Sequence, residues 1–236
     1  MMEKTVQHSR ADRTFYTVVA VAAALVAFAG FARTYYFKDL FDSPALSGLV
    51  HAHGIVMTAW LVLFFVQARL IAARRVDLHR RLGIAGAVLA LLIVVVGAAT
   101  AIESARNGLS PGLPPLVFLA IPLGVVVVFA VLVAAALLLR RRGDFHKRLM
   151  ALASISILTP AIARIPVGAL QAMGPQLFFG ITDLIVLACV AYDTVRNRRL
   201  HPAFGWGALF LFASQPLRIV LAFTPAWMEF ATWLVR

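Results

Sequence analysis

Long apolar runs follow one another along almost the whole chain. A helix needs about 20 predominantly apolar residues to cross the hydrocarbon core of a bilayer, which is about 30 Å thick. Seven segments meet this requirement, at residues 15–33, 49–71, 82–103, 115–139, 149–170, 176–195 and 203–223. Because helices satisfy their backbone hydrogen bonds internally when they lie in lipid, the runs predict an all-α, multi-pass membrane protein. We expect seven transmembrane helices in a single domain over residues 1–236.

Lysine and arginine are concentrated on one side of this predicted arrangement. The net charge of +12 would indicate a nucleic-acid partner in a soluble protein, but this chain is 62% hydrophobic and most of its charges lie between the apolar runs. One set of alternate loops contains Lys4, Arg10, Arg13, the clusters 69–81 and 140–148, Arg196, Arg198 and Arg199, and the other contains Arg33, Lys38, Arg106 and Arg236. The positive-inside rule therefore predicts a cytoplasmic N-terminus and an outer C-terminus. The expected partner is the lipid bilayer, and we expect no nucleic acid.

Two shorter segments complete the predicted topology. Residues 224–236, TPAWMEFATWLVR, are too short to cross a bilayer and place Trp227 and Trp233 close to charged residues. This pattern is typical of a short amphipathic helix in the outer interface. Residues 107–115, NGLSPGLPP, are rich in glycine and proline, which predicts a turn between the third and fourth spans.

A short motif occurs twice near the basic side. RRVDLHRRL (74–82) and RRGDFHKRL (141–149) share six of nine residues. Both copies precede an outward-going span, which fits a parallel repeat of two-helix units. In one interpretation Asp77 and Asp144 are helix N-caps, and the basic residues anchor the helices to lipid headgroups.

A second interpretation gives the same motif a cofactor. His79 and His146 would then face each other and hold one haem iron, or they would bind a metal ion together with His201. The neighbouring arginines would pair with propionates or phosphates. The identity of any metal stays open. The single cysteine, Cys189, excludes a thiolate cluster.

A second group of polar residues is predicted in the outer leaflet. Counting at about 1.5 Å per residue places six side chains in the outer third of the bilayer: His51, His53, Arg164, Asp183, Gln215 and Arg218. Charges within spans are costly, so these groups should face the bundle interior. One interpretation is a site for an anionic or carbonyl-bearing ligand such as a haem propionate, a quinone or a small carboxylate. The other is a structural network of two arginines and one aspartate.

Prolines and helical periodicity refine the outer cluster. Pro160 and Pro166 flank Arg164, and Pro216 lies between Gln215 and Arg218, so we expect helices five and seven to be broken there. Residues i and i+2 point to opposite sides of a helix, so only one of His51 and His53 can serve an interior site. We prefer His53, because its stripe continues at helical spacing through Met57, Trp60, Phe64 and Gln67.

Several short motifs carry a family resemblance. HRRLG (79–83), HAHG (51–54), VQARL (66–70) and DFHKRLM (144–150), which leads the helix with Arg164, resemble a family of uncharacterised bacterial multi-pass membrane proteins. The resemblance covers roughly residues 49–170. It implies the helical membrane fold and a location in the bacterial cytoplasmic membrane, and it implies no particular reaction.

Three functions fit these observations. The first, which we favour, is binding of a cofactor, haem or quinone, in a redox role. The second is a transporter or channel for a small anion, and the third is an accessory or assembly protein whose polar network is structural. No lysine lies within any predicted span, which excludes a retinal Schiff base despite the seven helices.

Overall fold

The computed structural model describes residues 2–110, 112–168 and 174–236, with side chains from Asp12 onward except that of Pro175. The described ranges contain helices and no strand. The α-helices in chain order are α1 (Met2–Phe31), α2 (Gly48–Ala72), α3 (Val76–Arg106), α4 (Pro115–Leu138), α5 (Gly143–Ser156), α6 (Thr159–Ile162), α7 (Pro175–Asn197), α8 (Pro202–Ala222) and α9 (Pro225–Leu234). After α1 the chain forms a π-helix (Ala32–Tyr36) and a 3-10 turn (Lys38–Leu40).

Six helices in the described ranges are long and apolar enough to cross a membrane. They are α1, from Asp12 through the π-helix, and α2, α3, α4, α7 and α8. This result indicates an all-α, multi-pass membrane protein. The remaining predicted span, residues 149–170, does not form one long helix in the described part of the chain. It is divided between α5 and α6, and residues 169–173 lie outside the described residues.

Proline accounts for the division between α5 and α6. Pro160 has no N–H, and its ring would clash with the carbonyl of Ser156, four residues earlier. Helix α5 ends at Ser156, so the predicted break near Arg164 is confirmed. The predicted break at Pro216 is wrong, because α8 continues through that residue. The difference follows from proline number, since the fifth segment contains both Pro160 and Pro166 whereas α8 contains one internal proline.

The helix ends gather at two opposite ends of the bundle. At the basic end, where α2 meets α3, α4 meets α5 and α7 meets α8, Lys147 Nζ lies 2.5 Å from Asp12 Oδ2 and Arg13 donates to the Ala72 carbonyl. At the opposite end, Ser47 Oγ donates to Glu103 Oε2 over 2.9 Å. The residues that the sequence assigns to one side thus lie together.

Helix α5 forms the centre of the bundle. Residues 151–155 are each at most 1% exposed, and α5 packs against α1, α4, α7 and α8. Alanine and serine at these positions let neighbouring helices approach closely, as is common in membrane bundles. A similarly close approach occurs next to α6, where a Cβ on Gly30 would overlap the carbonyl of Ala161.

The two shorter segments form the predicted short helix and the predicted turn. The C-terminal residues form α9, in which Trp227 is buried and donates through Nε1 to the Leu116 carbonyl over 2.8 Å, while Trp233 is exposed. The described residues of 107–114 form no helix, and Gly108 and Gly112 have positive φ angles of 67° and 77°. Glycine is needed there because side chains disfavour this backbone region.

The predicted N-caps are wrong. Arg75 and Arg142 precede α3 and α5, and neither helix start has a side-chain cap hydrogen bond. Asp77 and Asp144 lie within the first turn instead. A carboxylate in the first turn still interacts favourably with the positive end of the helix dipole.

Candidate functional site

The two repeated motifs bring their histidines together at the basic end. The ring centroids of His79, near the start of α3, and His146, near the start of α5, are 6.2 Å apart with an interplanar angle of 80°. Both residues are half-buried. The pairing was expected in the cofactor interpretation of the motif, and the fold achieves it because α3 and α5 both begin at this end and both pack against α4.

Hydrogen bonding defines which ring nitrogen of His146 is available. Its Nδ1 lies 2.9 Å from the carbonyl oxygen of Ala136. A carbonyl can only accept, so Nδ1 carries the proton and Nε2 keeps its lone pair in the neutral ring. Metal-binding histidines usually have this arrangement, with the second nitrogen donating to a backbone carbonyl.

The surroundings of His79 contain polar atoms without partners. Its Nδ1 is buried and has no hydrogen-bond partner, and the same is true of Gln67 Oε1. Gln67 approaches the same turn of α3, since its Nε2 donates to the His79 carbonyl over 3.3 Å. Buried polar atoms are nearly always satisfied in folded proteins. These two atoms are among the buried unpartnered polar atoms of the described chain, and the hydrogen bond from Gln67 to the His79 carbonyl places both residues where α2 meets α3.

His201 has a different role from the one expected for a third metal ligand. Its Nδ1 accepts from the backbone N–H of Ala203, which caps the start of α8, and its Nε2 then donates to Asp144 Oδ2 over 3.1 Å. Both nitrogens are thus occupied. The hydrogen bond from His201 holds the pKa of Asp144 below the usual range of a carboxyl group.

The second motif also forms an ion pair that the sequence analysis missed. Arg148 donates from Nε and Nη2 to both carboxylate oxygens of Asp193, over 3.0 and 2.7 Å, and both side chains are about 95% buried or more. The available signal was Asp193, an acidic residue near the end of the predicted span 176–195 at the basic end. Lys147 pairs with Asp12 in the same region.

The corresponding residues of the first motif are exposed. Asp77 pairs only with neighbouring Arg75, at 3.5 Å, and more than half of each of these two side chains is exposed. Arg80 and Arg81 are exposed as well. Among the described residues, no group of three or more histidine, cysteine or acidic side chains could hold a metal ion. The described basic end thus contains a pair of histidines and no larger group of this kind.

The predicted outer cluster is divided into two parts. In the first part, Gln215 Nε2 donates to Asp183 Oδ1 over 2.6 Å. Arg218, one turn further along α8, donates to the carbonyl and the hydroxyl of Ser214 over 3.0 and 2.8 Å. Arg218 is 8% exposed, and no carboxylate lies within ion-pair distance of it in the described chain. Asp183 still interacts electrostatically with Arg218.

Helix α4 provides the space for Arg218. A Cβ on Gly124 would overlap Arg218 Cδ, so glycine leaves room for the side chain at this crossing. The guanidinium carbon lies 5.3 Å from the ring centroid of Phe179 in α7. Three helices thus surround one buried cation.

The second part lies beside α1 and α2. Arg164 is exposed, donates to the Pro160 carbonyl over 3.0 Å and lies 5.1 Å from the ring centroid of Phe31. It is near enough to His53 for an electrostatic interaction. His51 is exposed, and its carbonyl accepts from the Tyr35 hydroxyl. No hydrogen bond or ion pair joins Arg164 to Asp183 in the described ranges, so the expected Arg-Asp-Arg network is not closed.

The stripe predicted to accompany His53 faces the interior. Trp60 is 2% exposed and donates from Nε1 to Ser154 Oγ of the central helix, and Phe64 is also buried. The stripe therefore packs α2 against α5, and only His53 and Gln67, at its two ends, remain available for polar roles.

No protein-family model, curated protein or solved structure matches the chain. The family resemblance of the HRRLG and HAHG motifs therefore stays a prediction.

Proposed function

We propose that the protein crosses a bacterial cytoplasmic membrane seven times, with the N-terminus in the cytoplasm and the C-terminus outside. Helix α4 ends at the basic end, and α7 returns there, because Tyr192 near the end of α7 stacks on Phe15 at 4.5 Å. The chain must reach the opposite end before α7 can begin, so the additional crossing starts with α5 and α6. The positive-inside rule places the basic end in the cytoplasm.

We infer that the protein binds haem through His79 and His146 and has a redox role. The observation that carries this proposal is the 6.2 Å separation of the two rings. A metal–nitrogen bond is about 2.0–2.1 Å long. With the radius of each ring added, two imidazoles that bind the same ion have centroids about 6 Å apart. The free Nε2 of His146 and the unpartnered Nδ1 of His79 agree with this use.

The number of ligands favours haem over a bare metal ion. Structural zinc sites use four protein ligands and catalytic ones use three, whereas the described basic end offers two histidines. Haem would need only His79 and His146 from the protein, because the porphyrin would supply the remaining ligands. Exposed arginines beside the pair suit the two propionates, since guanidinium binds carboxylate through two hydrogen bonds. They are Arg80, Arg140, Arg141 and Arg142.

Two protein ligands also define the chemistry that haem would supply. Haem held by both His79 and His146 would supply electron transfer rather than oxygen binding. The chain itself would hold the two imidazoles, orient His146 through Ala136 and balance the propionate charge.

The test is an absorption spectrum of detergent-purified protein before and after reconstitution with haem, together with metal analysis. We expect a Soret band that is lost in His79→Ala and in His146→Ala. His51→Ala is the matched control, because His51 is exposed at the opposite end, and it should keep the band. Protein that stays colourless and metal-free after reconstitution would overturn the proposal.

A second candidate function belongs to the cluster of Asp183, Gln215 and Arg218. The observation in its favour is the buried Arg218, which donates only to uncharged acceptors, at Ser214 and Ile121, and has no carboxylate at ion-pair distance in the described chain. Such a cation suits a carbonyl or anionic ligand, which includes a quinone, or a small anion that the protein transports. Titration of the purified protein with a short-chain quinone tests quinone binding. Measurement of anion flux into proteoliposomes tests transport. Arg218→Gln should abolish whichever signal the wild type gives, and a wild type without either signal leaves the cluster with a structural role.

A further inference from the structure

The faces of α3 and α5 that follow the two motifs differ in a regular way. Along α3, the positions 81, 84, 85, 88, 91, 92 and 95 are all exposed. The positions 67 residues later are 148, 151, 152, 155, 158, 159 and 162, and all of these are buried. Ile84, Val88 and Leu91 are 73%, 57% and 64% exposed, whereas Ala151, Ile155 and Leu158 are at most 3% exposed. The same face of the repeated unit is thus covered in one copy and uncovered in the other.

Other helices of the same chain pack over this face in the second copy of the motif. They also provide polar partners for its charged residues. Arg148 pairs with Asp193 of α7, and Asp144 accepts from His201 at the start of α8. The equivalent residues of the first copy, Arg81 and Asp77, have no partner on another helix in the described chain. Arg81 forms no hydrogen bond or ion pair there, and Asp77 contacts only Arg75.

The exposed face of α3 can pack against the same face of a second copy of the chain. Asp77 and Arg81 are one helical turn apart, and Ile84, Val88, Leu91 and Val95 continue the same face at alternating spacings of four and three. This spacing lets two parallel helices pack with interlocking side chains. In a twofold dimer, contacts are reciprocal, so Asp77 of each chain can meet Arg81 of the other. Two ion pairs would then form at one end of the apolar interface between the two α3 helices.

We propose that the α3 face formed by Asp77, Arg81, Ile84, Val88, Leu91 and Val95 is the interface of a homodimer in the membrane. Every helix at the bundle surface has lipid-facing apolar residues, but α3 adds an acidic and a basic residue at one end of its stripe. Asp77 has no partner on another helix of the described chain, and Arg81 of a second copy would supply one. This proposal is independent of haem binding.

Cysteine cross-linking of purified protein in proteoliposomes tests the interface. The background is Cys189→Ala, which removes the single native cysteine. We expect Val88→Cys to form a disulfide-linked dimer on mild oxidation. Leu184→Cys is the matched control, since Leu184 is a similarly exposed apolar residue on α7, at 65% exposure, and it should remain monomeric. Equal cross-linking of the two variants would indicate random collision and would overturn the proposal.

Charge reversal provides a second, independent measurement. Asp77→Arg and Arg81→Asp should each weaken dimerisation about tenfold, because each replaces two attractive contacts with repulsive ones. The double variant restores both pairs with opposite polarity and should recover wild-type affinity to within about twofold. Both residues are exposed, so folding should be unaffected, and thermal unfolding checks this. A wild type that is monomeric by photobleaching in bilayers, or a double variant no better than the singles, contradicts the proposal.

Discussion

Arg148 and Asp193 form a two-bond ion pair that joins the central helix α5 to α7, and the two side chains are only 5% and 3% exposed. Burying two charges is costly, so such a pair persists where geometry and additional hydrogen bonds compensate. Arg148 meets this condition, because it also donates to the Asp144 carbonyl over 2.8 Å. The pair therefore determines how α5 and α7 align at the basic end.

Removing one partner of this pair should be strongly destabilising. Arg148→Ala leaves Asp193 buried and unpaired, which costs about 3–5 kcal/mol, measured as the free energy of unfolding in a denaturant titration in detergent. Arg81→Ala, the exposed counterpart in the first motif, should cost less than about 0.5 kcal/mol. The apolar double variant Arg148→Met with Asp193→Leu should recover most of the loss. Equal costs for the two arginines would contradict the structural assignment.

The hydrogen bond between His201 and Asp144 predicts a pH dependence of stability. It lowers the pKa of Asp144 in the folded state, so its contribution is present above the pKa of the unfolded chain, near 4, and is lost as pH falls through the folded value. The thermal midpoint of the wild type should therefore fall between about pH 5 and pH 3 more steeply than that of Asp144→Asn. Asp39→Asn, at an exposed residue paired with its neighbour Lys38, should retain the wild-type slope.

Gly124 should be intolerant of any side chain. A Cβ at this position overlaps Arg218 Cδ, so Gly124→Ala must displace the buried guanidinium from Ser214. We expect a loss of about 1–3 kcal/mol in the free energy of unfolding. Gly180→Ala in α7 is the control, because a Cβ added to Gly180 would meet no atom within 4 Å. Alanine there should be neutral or stabilising by up to about 1 kcal/mol, and a similar loss at both glycines would refute the packing argument.

Gln67 should affect haem retention more than folding. Gln67→Leu removes the hydrogen bond to the His79 carbonyl but also removes a buried, unpartnered oxygen, so the free energy of unfolding should change by less than about 1 kcal/mol. The first turn of α3 loses its polar contact with α2, which lowers the bound haem per protein after reconstitution. The haem-to-protein ratio and the thermal midpoint measure the two effects separately. A ratio equal to that of the wild type would show that Gln67 does not position His79.

The local features of the fold follow closely from the sequence where one physical effect dominates. Pro160 predicts the end of α5 at Ser156, because a missing donor and a steric clash act within four residues. The same reasoning fails at Pro216, since α8 remains helical there. A helix in a packed bundle tolerates the loss of one hydrogen bond when its neighbours hold it in place.

The candidate sites were only partly predictable. The convergence of His79 and His146 follows from two copies of one motif at the same end of the bundle. The split between the Asp183 cluster and Arg164 does not follow, because depth along a helix axis says nothing about which direction a side chain faces. His201 was assigned by residue type alone, and its two hydrogen bonds exclude the expected role as a third ligand.

Apolar length and charge distribution by themselves determined the helical class of this protein, its succession of membrane-length helices and the common location of its basic segments. These properties depend on the free energy of transfer of each residue into lipid, which is additive along the chain. Only the tertiary structure decided that Arg148 and the helix face after the second motif are buried, whereas Arg81 and the corresponding face of α3 are exposed. That difference arises from which helices pack around α5. The two motifs share six of their nine residues, and these shared residues do not specify which helices pack against them.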